Sequence, residues 1–227
     1  MKLERAQDRV SQAFQGLHVL IDDDPRWSIH PISQAEAACR GGAHVLQLRC
    51  KHSSDQQTLD WARQMRALTR QNGIRLIVND RFDLALASEA DGVHLGQTDL
   101  PPRPVSKIAG GRLAIGRSTH TKAELLASRK EPVDYVAFGP VFGTASKASE
   151  YTARGLDALA QARAIIDGPP LIAIGGLSIS NLESVIQAGA EGAAVISAVL
   201  AAKDPAASTQ QLAACFNPPF SDGEARP

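Results

Sequence analysis

Gln47, Arg49 and Lys51 are spaced two residues apart in and just after one short apolar segment. Residues at this spacing on a β-strand point to the same face of the sheet. Two cations and an amide on one face suit the binding of an anion. The alternative is a solvated strand end whose cations pair with surface acids. Val45 and Leu46 predict that the segment is buried, which favours the anion site.

Two aspartates follow later apolar segments, Asp80 directly after Asn79 and Asp99 shortly after Leu95. If these segments are neighbouring parallel strands, about 5 Å apart, the two carboxylates converge on one hard cation. Such a pair predicts Mg²⁺ held by two carboxylates together with substrate phosphates. The alternative is helix capping, in which each carboxylate accepts backbone N–H bonds at the start of a helix.

A glycine-rich loop, residues 139–147, carries the hydroxyl groups of Thr144 and Ser146 and ends in Lys147. Its spacing differs from that of a Walker P-loop. A loop of this composition is suited to closing over a phosphorylated ligand. An ordinary mobile surface loop is the alternative.

The elements that must position these residues alternate regularly along the chain. Short β-branched segments predict eight strands, at residues 17–21, 44–49, 75–79, 92–95, 113–116, 134–139, 171–175 and 193–197. Segments with helical periodicity lie between them, for example residues 54–72 and 180–188. Gly73 and Gly189 stand where these helices are expected to end.

Apolar strands separated by single helices predict parallel pairing, because parallel strands need a crossover and are buried on both faces. Eight such units predict an α/β protein with a closed (β/α)8 TIM barrel. An open doubly wound sheet is the alternative. Its glycine-rich fingerprint is missing after the first strand, where Ile21 is followed by Asp22-Asp23-Asp24-Pro25.

In a parallel barrel the active site lies at the C-terminal ends of the strands. Ser118 follows the fifth strand, and Gly176 follows the seventh. The last strand ends in Val195-Ile196-Ser197. Barrels commonly bind a phosphate after strands seven and eight, through backbone N–H groups. A tight turn would explain the glycines equally well.

The barrel is predicted to form a single domain over residues 17–216, with no internal boundary. Residues 1–16 are predicted to form an extra helix before the first strand. Residues 217–227 lack an apolar pattern and are predicted to form a flexible tail.

Composition argues against several classes of partner. Among 227 residues, 24 Lys+Arg balance 24 Asp+Glu, which argues against a polyanion such as nucleic acid and against a membrane surface. No apolar run approaches the roughly 20 residues of a membrane span, and the first residues lack a signal-peptide core. Cys39, Cys50 and Cys215 are odd in number and widely spaced, as expected for reduced thiols. A cytoplasmic location is predicted.

Six motifs occur in order along the predicted strands. They are Gln47-Leu48-Arg49-Cys50-Lys51, Asn79-Asp80-Arg81-Phe82-Asp83-Leu84-Ala85, Asp91-Gly92-Val93-His94-Leu95-Gly96-Gln97-x-Asp99, Gly116-Arg117-Ser118-Thr119-His120, Gly139-Pro140-Val141-Phe142 with Lys147, and Gly175-Gly176-Leu177. In this order they resemble the thiamine-phosphate synthase family, roughly from residue 17 to 202. No single motif is decisive, but the ordered set is specific.

The resemblance implies a transferase that joins 4-amino-2-methyl-5-hydroxymethylpyrimidine diphosphate to a thiazole phosphate, giving thiamine phosphate and diphosphate. It implies Mg²⁺ held by Asp80 and Asp99. The residues implied to contact the pyrimidine diphosphate are Gln47, Arg49, Lys51, Asn79, Ser118 and Lys147. Those implied to bind the thiazole phosphate are Gly176, Val195, Ile196 and Ser197, with Thr144 and Ser146 beside it. The predicted catalytic residues are Lys147, Ser118, Arg49 and Lys51.

Two other functions share this barrel. A thiazole tautomerase has a histidine at the place of His120 but lacks the pyrimidine diphosphate and metal residues. A non-catalytic thiazole-phosphate-binding relative would be free to lose Lys147 or an aspartate. His94 is interpreted either as an orienter of Asp99 or the diphosphate, or as a barrel-interior histidine. The acidic run at residues 22–24 departs from the family pattern, and a homo-oligomer is left open.

Overall fold

The eight predicted strands form a closed parallel barrel in chain order, and the last strand pairs back to the first. The computed structural model describes residues 13–143 and 151–216. The strands are β1 Gly16–Asp22, β2 Val45–Arg49, β3 Arg75–Asn79, β4 Gly92–Leu95, β5 Ala114–Thr119, β6 Tyr135–Phe138, β7 Leu171–Ile174 and β8 Gly192–Val195. The closed barrel is confirmed, and the open sheet is excluded.

Helices follow the strands and pack around the barrel. In the described residues they are α1 Pro31–Arg40, α2 Asp55–Asn72, α3 Phe82–Ala87, α4 Pro102–Ala109, α5 Lys122–Ser128, α6 Gly155–Ile165, α7 Leu182–Gln187, α8 Ser197–Leu200 and α9 Pro205–Ala214. The Ser54 side chain accepts a bond from Gln57 N, which caps α2, and Gly73 ends that helix at a φ of 67°. Across the described part of the chain, no helix is both long and apolar enough to span a membrane.

Polar and aromatic side chains share the barrel interior with aliphatic ones. Register partners share a face in a parallel ladder, so His18 on β1 and Gln47 on β2 point inward with the same parity. The Tyr135 ring stacks on Phe14 with centroids 5.6 Å apart and meets His18 edge-on at 5.4 Å. This aromatic layer fills the barrel below the strand ends.

Most strand boundaries differ by a residue or more from the predicted ones, and two of these differences affect the site. β5 runs to Thr119 because Ser118 and Thr119 pair with β6, although their polar sequence suggests a loop. β8 ends at Val195, because Ile196 leaves the extended region at φ −122° and ψ −79°. Ser197 is therefore the first residue of α8.

The predicted extensions lie largely outside the described residues. The described chain begins at residue 13, and Gly16 already belongs to β1, so the last residue of the predicted extension is part of the barrel. Residues 1–12 and the predicted tail at 217–227 are outside the described residues. The division into a helical extension, a barrel and a tail stays a prediction.

Candidate active site

Arg49 ends β2 at the barrel mouth, where it pairs with a carboxylate from β1. Its Nη1 lies 2.6 Å from Asp22 Oδ2, and the two residues are register partners. The Asp22 side chain is 1% exposed and that of Arg49 is 15% exposed. For Arg49, a solvated strand end paired with a surface acid is therefore the wrong description, because Asp22 is buried in the barrel.

Lys51 comes two residues after the end of β2 and reaches across the mouth toward β3. Its Nζ lies 2.5 Å from Asp80 Oδ2. The Lys51 side chain is largely exposed, whereas Gln47 lies inside the barrel at 4% exposure. Gln47, Arg49 and Lys51 thus extend from the barrel interior to its rim. Lys51 contacts Asp80, which is a predicted metal ligand.

Asp80 adopts the left-handed backbone region directly after β3, with φ 62°. A non-glycine residue in this region is uncommon, and such outliers cluster at functional sites. Its N–H donates to His94 O at 2.7 Å, which fixes the turn to β4. Helix α3 begins at Phe82 with Arg81 at its N-cap and no side-chain capping bond. Capping is therefore the wrong description of Asp80.

Asp99 turns back onto its own loop at the end of β4. Its Oδ2 accepts a bond of 2.6 Å from Gly96 N. Helix α4 has Pro101 at its N-cap and no side-chain capping bond, so Asp99 does not cap it either. Burial, and then the negative charge of Asp80, raise the pKa of Asp99. The charge of Asp80 therefore acts on the Asp99 carboxyl, and the binding of one cation by both residues stays a prediction.

The donor set at these strand ends suits a hard divalent cation. Asp80 and Asp99 supply carboxylate oxygens, and their mutual repulsion is relieved by a bound positive charge. Across residues 13–143 and 151–216, no group of three or more His, Cys, Asp or Glu forms a ready metal cage. Mg²⁺ fits this arrangement, because it is commonly held by one or two carboxylates plus water and substrate phosphates.

Ser118 points into the barrel beside a histidine and a tyrosine. Its Oγ lies 2.8 Å from His94 Nε2, and His94 Nδ1 lies 2.9 Å from the Tyr135 hydroxyl. His94 is 7% exposed, so it is a barrel-interior histidine, and its ring nitrogens contact Ser118 and Tyr135. Tyr135 is absent from the sequence prediction. The sequence feature that could have indicated Tyr135 is its position at the start of the predicted apolar strand at residues 134–139.

The glycine pair after β7 is required by a close backbone approach. Gly175 and Gly176 have φ values of 98° and 64°. A Cβ on Gly175 would lie 2.4 Å from Pro140 Cβ, and one on Gly176 would lie 2.5 Å from Gly143 O. Because the β6 loop packs on these residues, the tight turn explains both glycines. Phosphate binding by Gly176 stays a prediction.

The other residues predicted to bind the thiazole phosphate lie at the end of β8. Val195 pairs with Val19, whose parity is opposite to that of the inward-facing His18, so the Val195 side chain faces the helices. Any contact it makes with a ligand is through its backbone. Ile196 is buried, whereas Ser197 is exposed at the first residue of α8.

Thr144, Ser146 and Lys147 lie outside the described residues. The chain on the far side of that gap is anchored at the mouth, since the Tyr151 ring stacks on His120 with centroids 4.0 Å apart. His120 Nδ1 donates to Gly139 O at 2.6 Å. These contacts hold the flank of the gap beside the end of β5.

Comparison with known proteins decides the family. The family model described as thiamine monophosphate synthase matches residues 17–199. The chain belongs to the thiamine monophosphate synthase family. The resemblance inferred from the six ordered motifs is thereby confirmed.

Individual relatives agree with this membership of the thiamine monophosphate synthase family. A thiamine-phosphate synthase from Chloroflexus aurantiacus is 45% identical over 179 residues, which cover 79% of this chain and 82% of that protein. One from Synechococcus sp. strain CC9605 is 42% identical over 79% of this chain, and the match spans 50% of that longer protein. The structure of thiamine phosphate pyrophosphorylase from Pyrococcus furiosus superposes with a TM-score of 0.83 at 32% identity, covering 92% of this chain and 98% of that one.

Proposed function

We propose that this protein is a transferase that makes thiamine phosphate. It joins 4-amino-2-methyl-5-hydroxymethylpyrimidine diphosphate to a thiazole phosphate and releases diphosphate. The observation that carries the proposal is the contact of Lys51 with Asp80 beside Asp99, on a barrel of this family. A cation and two carboxylates at one point suit a diphosphate group that arrives with a divalent metal ion.

The pyrimidine diphosphate binds across the ends of β2 to β5. Gln47 and Asn79 share the inward parity of these strands, and Gln47 contacts the pyrimidine ring. Arg49 and Lys51 bind the diphosphate oxygens, and Lys147 joins them from the β6 loop. Ser118 contacts the same substrate from β5, where His94 holds its hydroxyl.

Asp80 and Asp99 would hold Mg²⁺ against the diphosphate. When bound, the ion neutralises charge that accumulates on the leaving diphosphate. The two aspartates come from the ends of adjacent strands, and Lys51 neutralises part of their charge when the ion is absent. The aspartates therefore link metal binding to diphosphate binding.

The reaction breaks the bond between the pyrimidine methylene carbon and the diphosphate oxygen, whose electron pair leaves with the diphosphate. The electron-rich aminopyrimidine stabilises the resulting cation. The thiazole nitrogen then donates its lone pair to the methylene carbon and forms the new C–N bond. Arg49, Lys51 and Lys147 stabilise the departing oxygens electrostatically. The step needs positioning and charge neutralisation, so no covalent nucleophile is assigned.

The thiazole phosphate binds on the opposite side of the mouth. Its phosphate accepts hydrogen bonds from backbone N–H groups of Gly176, Val195, Ile196 and Ser197. Thr144 and Ser146 are assigned to the same subsite by the family resemblance. This arrangement places the two substrates at separate anion sites, which lets each bind without displacing the other.

The partners are two small molecules, and the protein works in the cytoplasm. All three cysteines, Cys39, Cys50 and Cys215, are free thiols, as expected in a reducing compartment. A homo-oligomer belongs to the same proposal, and a native mass measurement tests it.

A diphosphate-release assay tests the proposal. Purified protein is given both substrates, each alone, and both with a chelator in place of Mg²⁺. Release should need both substrates and Mg²⁺. Asp80→Ala and Lys147→Ala should each lower the rate by about 100-fold, equal to about 2.7 kcal/mol of transition-state stabilisation. Asp60→Asn, on the exposed face of α2, is the matched control.

One outcome would overturn the proposed metal site, and another would overturn the proposed function. Activity that survives the removal of both Asp80 and Asp99 would exclude the metal site. Absent release in the wild type, together with measurable thiazole phosphate binding, would favour a tautomerase or a non-catalytic binder. Proton exchange on the thiazole phosphate, followed by NMR, would then separate these two.

A further inference from the structure

Three consecutive aspartates follow β1, directly beside the cations that bind the proposed diphosphate. An acidic run at this place would repel an anionic substrate if its charges faced the mouth unpaired. Each of the three carboxylates instead has defined partners. Asp22 contacts the Arg49 side chain, Asp23 contacts the backbone at 51–53, and Asp24 contacts Arg26.

Both the carboxylate and the backbone of Asp22 are hydrogen-bonded. Its Oδ2 accepts from Arg49 Nη1 at 2.6 Å, and its Oδ1 accepts from Asp24 N at 2.9 Å. The Gln34 side chain accepts from Asp22 N and donates to Asp22 O, both at 3.0 Å. Gln34 is fully buried on α1. The carboxylate that contacts Arg49 is therefore held by the barrel core.

Asp23 holds the segment that carries Lys51. Its Oδ1 accepts from Lys51 N at 2.8 Å, and its Oδ2 accepts from His52 N at 3.0 Å and from Ser53 N at 2.7 Å. Three consecutive amides are thus bound to one carboxylate. The turn after β2 is fixed at the point from which Lys51 extends to Asp80.

We propose that Asp22 and Asp23 are positioning residues that aim Arg49 and Lys51 at the diphosphate. This inference rests on the proposed function. A guanidinium has five N–H donors, so Arg49 keeps donors for a ligand after it binds Asp22. Cations held in place before binding lose less conformational freedom when the anion arrives. The acidic run therefore supports anion binding through the two basic residues.

A double-mutant cycle tests whether Asp22 acts through Arg49. Asp22→Asn, Arg49→Gln and the double variant are compared by steady-state kinetics with each substrate varied. Asp22→Asn should raise the KM for the pyrimidine diphosphate by about 10-fold or more and leave the KM for the thiazole phosphate within about twofold. In the Arg49→Gln background, the Asp22→Asn change should have no further effect. Asp23→Ala and Lys51→Gln form a second cycle.

Asp24→Asn is the matched control, because Asp24 belongs to the same run but its side chain contacts those of Arg26 and His52. It should leave both KM values unchanged. Melting temperatures identify any variant that fails to fold. Additive effects of Asp22→Asn and Arg49→Gln, or an equal rise in both KM values, would overturn the inference.

A binding measurement keeps this inference separate from the proposed reaction. Inorganic diphosphate with Mg²⁺ is titrated into each folded variant by calorimetry. Weaker binding in Asp22→Asn, and no further loss in the Arg49→Gln background, supports positioning even if the wild type shows no turnover. Unchanged affinity in Asp22→Asn overturns it, whatever the activity of the wild type.

Discussion

The phenol ring of Tyr135 occupies the space that a side chain at residue 116 would need. A Cβ on Gly116 would lie 2.0 Å from Tyr135 Cζ and 2.4 Å from its hydroxyl oxygen. The two residues are register partners on β5 and β6. Glycine at this position lets the ring cross the barrel, where its hydroxyl lies 2.9 Å from His94 Nδ1.

Gly116→Ala should destabilise the protein and lower its activity together. The new methyl group forces the Tyr135 ring to move, and overpacking of this kind costs roughly 1 to 3 kcal/mol. Chemical denaturation measures the free energy of unfolding. Gly143→Ala is the control for stability, since a Cβ there would meet no atom of the described residues within 4 Å. Equal stability of Gly116→Ala and wild type would contradict this packing.

Tyr135→Phe should lower activity while keeping the ring in place. The change removes the hydroxyl that contacts His94. Because His94 contacts the Ser118 hydroxyl through its other ring nitrogen, the position of that hydroxyl becomes less well fixed. We expect kcat/KM for the pyrimidine diphosphate to fall by about 10-fold, equal to about 1.4 kcal/mol. In a Ser118→Ala background the same change should cost little. A full additional loss there would show that Tyr135 acts by another route.

The strands and their polar ends could be predicted from the sequence because each signal is local. A β-branched run predicts a buried parallel strand, and the residue after it must lie at the mouth. This reasoning correctly places Arg49 at the end of β2 and Asp80 directly after β3, whereas Ser118, predicted to follow the fifth strand, lies within β5. It also predicts the convergence of Asp80 and Asp99, because consecutive strands are neighbours in a barrel.

The contacts that fix these side chains could not be predicted in the same way. Tyr135 and His94 are 41 residues apart, and Asp22 and Arg49 are 27 apart. Such pairs depend on register, which a one-residue shift would destroy. Asp22 followed by two further aspartates also resembles an ordinary acidic loop. Its role beside Arg49 becomes visible only when β1 and β2 are aligned.

Asp99→Asn should stabilise the metal-free protein at pH 7 while abolishing turnover. The folded-state pKa of Asp99 is raised by burial and by Asp80, so the folded protein binds more protons than the unfolded chain just above pH 3.8. Ionised Asp99 therefore lowers stability as the pH rises through that window. Its removal should raise the free energy of unfolding by less than about 1 kcal/mol, because Asp99 is only partly buried and solvent screens its charge.

Thermal melting in a chelator checks this gain in stability. The asparagine of the Asp99→Asn variant keeps an oxygen that can accept the bond from Gly96 N, so the loop should survive the change. Addition of Mg²⁺ with inorganic diphosphate should raise the melting temperature of the wild type and leave that of Asp99→Asn nearly unchanged. A lower melting temperature for Asp99→Asn in the chelator would show that Asp99 supports the fold instead.

His18 should make the protein less stable as the pH falls below neutrality. Burial, partly opposed by the bond from its Nε2 to Phe14 O, lowers the pKa of His18 from 6.5 to about 4. Between these values the unfolded chain binds a proton that the folded protein excludes, so stability falls as the pH falls. The full difference is about 3 kcal/mol, because each pKa unit corresponds to about 1.4 kcal/mol.

His18→Gln removes this titration and keeps an amide that can donate to Phe14 O. Urea unfolding at several pH values between 7 and 4 should therefore give a shallower loss of stability for the variant than for the wild type. Gln56→Asn, at an exposed position of α2, changes no titrating group and is the control, so it should follow the wild-type curve. If the curves of His18→Gln and wild type run parallel, His18 takes up its proton in the folded barrel. That outcome would mean that water reaches the ring through the layer formed by Phe14 and Tyr135.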